Sequence, residues 1–237
     1  MKITVIIPIY NDEKAIKNLL TELKNFTEID EIIISKATDD FKNISIIEKE
    51  YKKIKYKLLI SPKSRAIQMN NAVKYSTSEI LWFIHADSKF KNYDIDKKIK
   101  YFIENKMCQC GGLKLKFYPN SIFLSLIAFL SNLRAKIFKI CFGDQSIFIT
   151  KKLFNEINGF REIPIMEDLQ FFIDIKKHIK NKNYFKLLNY KIISSSRRFK
   201  KNGILKTIFR MHKLKIMYFK GIKPEKLNEI YNNMKDR

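Results

Sequence analysis

A carboxylate set directly behind a strand-like apolar run is the first candidate for chemistry. Ile80 to Ile84 run into His85-Ala86-Asp87. An apolar run of that length reads as a strand buried on both faces of a parallel sheet. Open α/β sheets bind their ligands just past the carboxyl ends of such strands. A divalent cation such as Mg²⁺ or Mn²⁺ takes hard oxygen ligands, commonly one or two carboxylates completed by substrate phosphates. Asp87 has the type and the place for that, with His85 as a second ligand or a supporting neighbour. Alone, an Asp after a strand is more often a turn residue, and a single His is more often structural.

Four further groups have suitable types. Glu167-Asp168 open a helix, where acids suit the positive end of the dipole. A carboxylate there can also accept the proton of an attacking hydroxyl, itself a poor nucleophile at neutral pH. Arg65 opens another helix and can grip a base or a phosphate through its forked donors; Gln68 and Asn71 follow on a similar face. Gly143-Asp144-Gln145 precede a strand. Ser194-Ser195-Ser196-Arg197-Arg198-Phe199 offer two arginines with the geometry to clamp a diphosphate, or simply more basic surface.

The elements that must carry these residues alternate. Strands are predicted at Lys2–Ile9, Glu31–Ser35, Tyr56–Ile60 and Ile80–Ile84, with helices at Asp12–Phe26, capped by Asn11 or Asp12, and at Lys63–Tyr75. That order argues for a doubly wound, mostly parallel sheet with helices on both faces. Beyond it come helices at Asp94–Glu104 and Ile122–Ile140, strands at Gly111–Tyr118 and Gln145–Thr150, then helices at Lys151–Ile157 and Glu167–Lys177 and from Ile204 onward. The uncharged part of 122–140 is too short to span a bilayer.

The chain has 237 residues, 46% of them hydrophobic, with six Gly, five Pro and no linker-like tract. A sizeable core is therefore available, and a disordered chain is excluded. Cys108, Cys110 and Cys141 are too few for a structural zinc site and odd for a disulfide framework, which points to reduced thiols. The apolar opening at 3–9 reads as a strand, not a secretory signal. Net charge is +23, and 19 Lys and Arg against three acids lie from Lys176 onward. Such a tail asks for an anionic partner, a nucleic acid or a membrane surface.

Taken in order, these segments resemble the family 2 glycosyltransferases, and among them a group of short, single-domain bacterial members. IPIYNDE resembles the family's Pro-x-x-Asn-Glu opening. SRAIQMNNA resembles the group's Gly-Arg-Ala-x-Gln-Met-Asn-x-Gly, and WFIHADS its Phe-Leu-His-Ala-Asp-Thr, where His-Ala-Asp replaces the wider family's Asp-x-Asp. GDQSIF, NGFREIPIMEDLQF, SSSRRFKKNGIL and GIKPEKLNEIY also match.

The resemblance implies a GT-A fold and a metal-dependent, hexosyltransferase-like enzyme. Its donor would be a nucleotide-diphosphate sugar, its acceptor a glycan or lipid-linked hydroxyl, its chemistry a single inverting displacement. Asp168 would be the base with Glu167 beside it. Asp87 and His85 would hold Mn²⁺ or Mg²⁺. Pro8, Tyr10, Asn11, Glu13, Asp39, Arg65, Gln68, Asn71, Arg197 and Arg198 would face the donor, and Gly143, Asp144 and Gln145 the acceptor. The implied domain is 1–200, with a nucleotide-binding half at 1–90 and an acceptor half at 91–200. Residues 201–237 form a basic amphipathic helical extension.

One stretch departs from the pattern. The family carries an Asp-Gly-rich segment after its second strand. Here Ile34-Ser35-Lys36-Ala37-Thr38-Asp39-Asp40 lacks the glycines, and a lysine stands where the acid belongs. That leaves open the base preference, and with it a degenerate, non-catalytic basic binding protein. A nucleotidyltransferase of similar fold wants a Gly-rich loop after strand one, and Pro8 to Glu13 contain no glycine. In the last quarter Leu205, Ile208, Phe209, Ile216 and Phe219 fall on one side of a helix, with Lys206, Arg210, Lys213 and Lys220 on another. This pattern predicts peripheral attachment at the inner face of the cytoplasmic membrane, with no nucleic acid as partner.

Overall fold

The computed structural model describes residues 1–10, 12–38, 47–51, 54–181 and 183–235. The first half runs β1 (Ile3–Ile9), α1 (Glu13–Leu23), β2 (Ile29–Thr38), β3 (Ile47–Tyr51), β4 (Ile54–Pro62), α2 (Arg65–Tyr75), β5 (Ile80–Phe83), β6 (Lys89–Phe90) and α3 (Ile95–Glu104). The second half runs β7 (Cys110–Tyr118), α4 (Ile122–Phe138), a 3₁₀ turn at Gly143–Gln145, β8 (Ile147–Thr150), α5 (Lys151–Glu156), α6 (Glu167–His178) and β9 (Phe185–Ser195). It closes with α7 (Arg197–Asn202), α8 (Ile204–Phe219) and α9 (Pro224–Lys235).

The strands form one nine-stranded sheet in the order β3-β4-β2-β1-β5-β8-β7-β9-β6. β4, β2, β1 and β5 are mutually parallel, and β8 joins β5 antiparallel. The mixed α/β sheet predicted from the strand-helix alternation is present. From β1 the chain leaves toward β2; after β5 it leaves toward the opposite edge. The carboxyl ends of β1 and β5 therefore flank the crevice where such sheets bind ligands.

Side-chain alternation along these strands builds two cores. Val5, Ile7, Ile80 and Trp82 pack under α1 and α3 with Leu19, Leu23, Ile99 and Ile103. Ile6, Leu81 and Phe83 pack on the other face with Met69, Leu153, Phe171 and Phe172 of α2, α5 and α6. β5 is buried on both faces, as its unbroken apolar run requires. Phe83, Phe154, Phe160 and Phe171 form one aromatic column of stacked and edge-to-face contacts, the Phe160 and Phe171 ring centroids 4.0 Å apart. This column ties the start of α6 to the end of β5. All three cysteines are buried and unpaired.

Three strands had no counterpart in the sequence reading. β6 is two residues long, and β3 ends in Glu-Lys-Glu-Tyr. β9 mixes Lys and Asn into its apolar positions, and its pairing with β7 slips between Leu113↔Leu188 and Lys114↔Lys191, which breaks its period. At the carboxyl end, α7 runs across the expected boundary at residue 200. Leu214 of α8 and Leu227 of α9 pack with Met166 and Leu169, so these helices share a core with α6.

Gly111 shows how closely β7 is held. A Cβ there would stand 2.0 Å from the Lys186 carbonyl oxygen and 2.5 Å from Phe148 Cζ. The backbone contact cannot yield as a side chain would. Gly111→Ala is expected to cost about 3 kcal/mol, a fall of roughly 6–12 °C in Tm for a chain of this size, measurable by calorimetry. An unchanged Tm would show that the β7–β9 pairing is looser than described.

Candidate active site

Arg65 is the first residue of α2, whose N-cap Ser64 accepts the Ile67 N–H. Its guanidinium donates to Glu167 Oε1 through Nε and also reaches that oxygen with Nη2. Nη2 stands 3.9 Å from Asp168 Oδ2, and Nη1 lies 3.2 Å from His85 Nε2. One cation thus joins the starts of α2 and α6 to the end of β5. Because guanidinium only donates, Nε2 of His85 accepts and the ring proton sits on Nδ1. Burial first, and then Arg65, push the His85 pKa down to about 3, so the imidazole stays neutral.

The paired acids differ. Glu167 is 3% exposed and committed to Arg65; burial pushes its pKa up against that pull. Asp168 is more open. Its Oδ2 accepts the Gly143 N–H at 3.0 Å, and its Oδ1 the Leu169 N–H at 2.8 Å. Both hydrogen bonds orient the carboxylate and leave lone pairs for a third partner. Gly143 can come so close because it lacks a Cβ, which would lie 2.4 Å from His85 Nε2.

Pro8, Arg65 and His85 line both of two adjoining parts of the site. The inner part adds Gly143, Glu167 and Asp168; the outer part adds Tyr10, Asp12 and Asp87. Asp87 and Asp168 therefore stand on either side of the wall that Pro8, Arg65 and His85 form. At the outer end the Arg197 guanidinium sits 2.5 Å from Asp12 Oδ2 and 3.9 Å from Asp87 Oδ2. Burial raises the Asp87 pKa, Arg197 lowers it and Asp12 raises it again, with the net shift upward.

Two carboxylates gathered around a single cationic group make a hard-oxygen donor set, which fits Mg²⁺ or Mn²⁺ completed by phosphate oxygens. Asp87 would be the residue to hold such an ion. His85 turns Nε2 to Arg65 and carries its proton on Nδ1, so in this arrangement it has no free lone pair for a metal. Among the described residues no group of three or more His, Cys, Asp or Glu is arranged as a metal cage.

Other predicted residues have different tasks. Gln68 is buried, and its amide donates to the carbonyls of Ile9 and Ser35, tying α2 to the ends of β1 and β2. Asn71 bonds Ser61 and Lys74. Gln145 is fully buried. Its Oε1 accepts from Arg134 and its Nε2 donates to the Leu113 carbonyl and Asn132, so it braces the turn from within. The Gln68 and Gln145 amides, expected at donor and acceptor, spend these hydrogen bonds on the fold, while the half-buried Asn71 holds Ser61 and the exposed Lys74. Tyr10 is at the cleft mouth, where its hydroxyl accepts from Lys63. Asn11, Asp39 and the side chains of Glu13 and Arg198 lie outside the described residues.

The sequence reading missed two members of the site. Asp12, offered with Asn11 as a cap for the first helix, does stand at the N-cap, yet its side chain makes no capping bond and accepts from Arg197 instead. Arg134, from α4, stacks over the Phe142 ring at 3.7 Å and carries its charge to Asp144. Its position among apolar helix residues was the available signal.

Asp144 Oδ1 is shut off from solvent and has no hydrogen-bond partner, although part of the residue is exposed. Burial, with Arg134 opposing it and Asp168 adding to it, raises its pKa to about 6. A carboxyl group that binds its proton more tightly when folded loses stability as pH rises from its unfolded value near ~4 to its folded one. Asp144→Asn should remove a cost on the order of 3 kcal/mol at pH 7 and almost none at pH 4. Thermal melts should show the variant's advantage growing across that range; a pH-independent difference would contradict the assignment.

Comparison with known proteins places this geometry. No curated protein sequence matches the chain. The chain superimposes on residues 1–349 of TarS from S. aureus with a TM-score of 0.60 at 19% identity, covering 89% of this chain and 64% of TarS 1–349. It superimposes on the mannosyltransferase PcManGT from Pyrobaculum calidifontis, in complex with GDP-Man and Mn²⁺, with a TM-score of 0.61 at 14% identity, covering 81% of this chain and 56% of that one. TarS 1–349 with UDP-GlcNAc gives 0.59 at 20% identity, with 82% and 58% covered. The chain spans about three-fifths of the length of these structures, and the likeness carries the GT-A fold. Residues 4–156 match the model of the family described as Glycosyl transferase family 2. On that match the chain belongs to glycosyl transferase family 2.

Proposed function

We propose that the chain moves a sugar from a nucleotide-diphosphate donor to an acceptor hydroxyl, with inversion at the anomeric carbon. The reading is supported by one observation: the hollow lined by Asp87 and the small one lined by Asp168 adjoin, with Pro8, Arg65 and His85 in the walls of both. Donor diphosphate belongs at the outer end, near Asp87 and Arg197. Acceptor hydroxyl belongs at the inner end, near Asp168. The structural neighbours bind UDP-GlcNAc and GDP-Man by their descriptions, which supports a nucleotide-sugar donor without fixing the base.

In this reaction Asp168 accepts the acceptor's hydroxyl proton as that oxygen bonds to the anomeric carbon. The bond from that carbon to the diphosphate breaks on the opposite side. Asp168 suits the role better than Glu167 because its oxygens are held by two backbone N–H groups and stay reachable, whereas Glu167 is consumed by Arg65. Arg65 adds positive charge between the two parts of the cleft, and neutral His85 fixes its orientation. A divalent cation on Asp87 would neutralise charge on the departing diphosphate.

Asp168→Asn is expected to lower transfer by about 10²–10⁴-fold and to leave donor binding intact. A panel of nucleotide sugars, screened by thermal shift with and without Mn²⁺, identifies the donor; turnover of the variant is then measured on that donor. Turnover within tenfold of the parent, with binding preserved, would remove Asp168 as base.

A further inference from the structure

We propose that the outer faces of α4 and α8 seat the protein on an anionic lipid bilayer, lying in its interface. α4 is almost wholly apolar but packs by a narrow stripe. Leu124, Ala128 and Ala135 are its buried residues, the first two against Leu115 and Phe117 of β7. Its outer face presents Ile122, Phe123, Leu126, Phe129, Leu130 and Ile137, with Ile122 88% exposed and Phe129 60%. α8 buries Thr207 and Leu214 and leaves Leu205, Phe209, Ile216 and Phe219 outside, Leu205 at 73%. The two helices are neighbours. Both reach the same two clusters: Ile204 joins the Leu124–Ala128 cluster at one end, and Ile140 and Phe142, just past α4, pack on the cluster that contains Leu214 at the other. Monomeric soluble proteins rarely expose an apolar surface of this kind without a use for it.

Charge identifies the occupant. Segments 121–142 and 197–223 carry three and ten Lys or Arg and no Asp or Glu. Lys136, Lys206, Lys213 and Lys220 are exposed among the apolar residues. A second copy would set like charge against like charge. Nucleic acid would answer the cations but not a surface of Ile, Leu and Phe. An anionic leaflet offers both acyl chains and negative charge, and each Lys or Arg near it strengthens partitioning about fivefold. No helix among the described residues is long and apolar enough to cross a membrane, so the helices lie in the plane of the interface.

Full-length protein is tested by sedimentation with vesicles of phosphatidylcholine containing about 30% phosphatidylglycerol, against pure phosphatidylcholine, at low salt and at about 0.5 M salt. Expected are binding to the anionic vesicles and at least a tenfold loss on the neutral ones or in high salt. Phe123→Ser, Phe129→Ser and Phe209→Ser combined should cut anionic-vesicle binding at least tenfold, with Tm and the far-ultraviolet circular dichroism spectrum unchanged. Absent binding at low salt, or binding that the triple variant retains, overturns the proposal. So does a dimer in light scattering that the triple variant abolishes, or RNA binding in place of vesicle binding. The readout needs neither donor nor turnover, so it stands or falls apart from the sugar-transfer reading.

Discussion

The site depends on one guanidinium held among two carboxylates and an imidazole. Arg65 and Glu167 are a hundred residues apart in sequence, and their contact fixes the starts of α2 and α6 against the end of β5. A carboxylate as enclosed as Glu167 needs a partner, because a buried charge left alone costs several kcal/mol. Both helix starts also turn positive dipole ends toward the cleft. Acids at the beginning of α6 answer that field, and Arg65 binds the more enclosed one. The less enclosed one, Asp168, is left free for other work.

Sheet topology makes this meeting possible. β5 stands between parallel β1 and antiparallel β8, so the turn that feeds β8 arrives at the carboxyl end of β5. Each residue of that turn has a separate task. Gly143 brings backbone against His85 and its N–H to Asp168. Asp144 carries a carboxyl raised by burial. Gln145 braces the turn from inside, and Ser146, at φ 55°, accepts the Trp82 indole N–H at 2.6 Å. A short Gly-Asp-Gln-Ser segment thus links core, cleft floor and Asp168.

The parts legible in the sequence were those decided locally. A five-residue apolar run can hardly be anything but a two-faced buried strand, and an Arg opening a helix or an acid pair opening another is visible without the fold. The bracing roles of Gln68 and Gln145 were not legible. An amide that serves a ligand and one that satisfies a carbonyl look alike in sequence; what decides for Gln68 is the Ile9 and Ser35 oxygens, 59 and 33 residues away. β9 was hidden because partial burial leaves Lys and Asn in place and a slip in pairing breaks the alternation. α4 was read correctly as a helix, but an apolar helix suggests a buried one. Its contact through Leu124, Ala128 and Ala135 only emerges from packing.

The cleft therefore has a firm end and a yielding end. Around Arg65 and Glu167 the ion pair is partly withdrawn from water and locked by backbone geometry. Around Arg197 the guanidinium is 66% exposed while it serves Asp12 and Asp87. Exposed pairs of that kind contribute about 0–1 kcal/mol, so a diphosphate arriving there competes for Arg197 at little cost. That arrangement suits the proposed transfer: the end that receives a charged, variable donor can rearrange, while the end that must aim a carboxylate at one proton does not. Arg197 stands at the junction of β9 and α7, elements that belong to the second half of the chain, and it meets Asp12 at the start of α1. The yielding end is thus closed by the same long-range folding that hid β9 from a reading of the sequence.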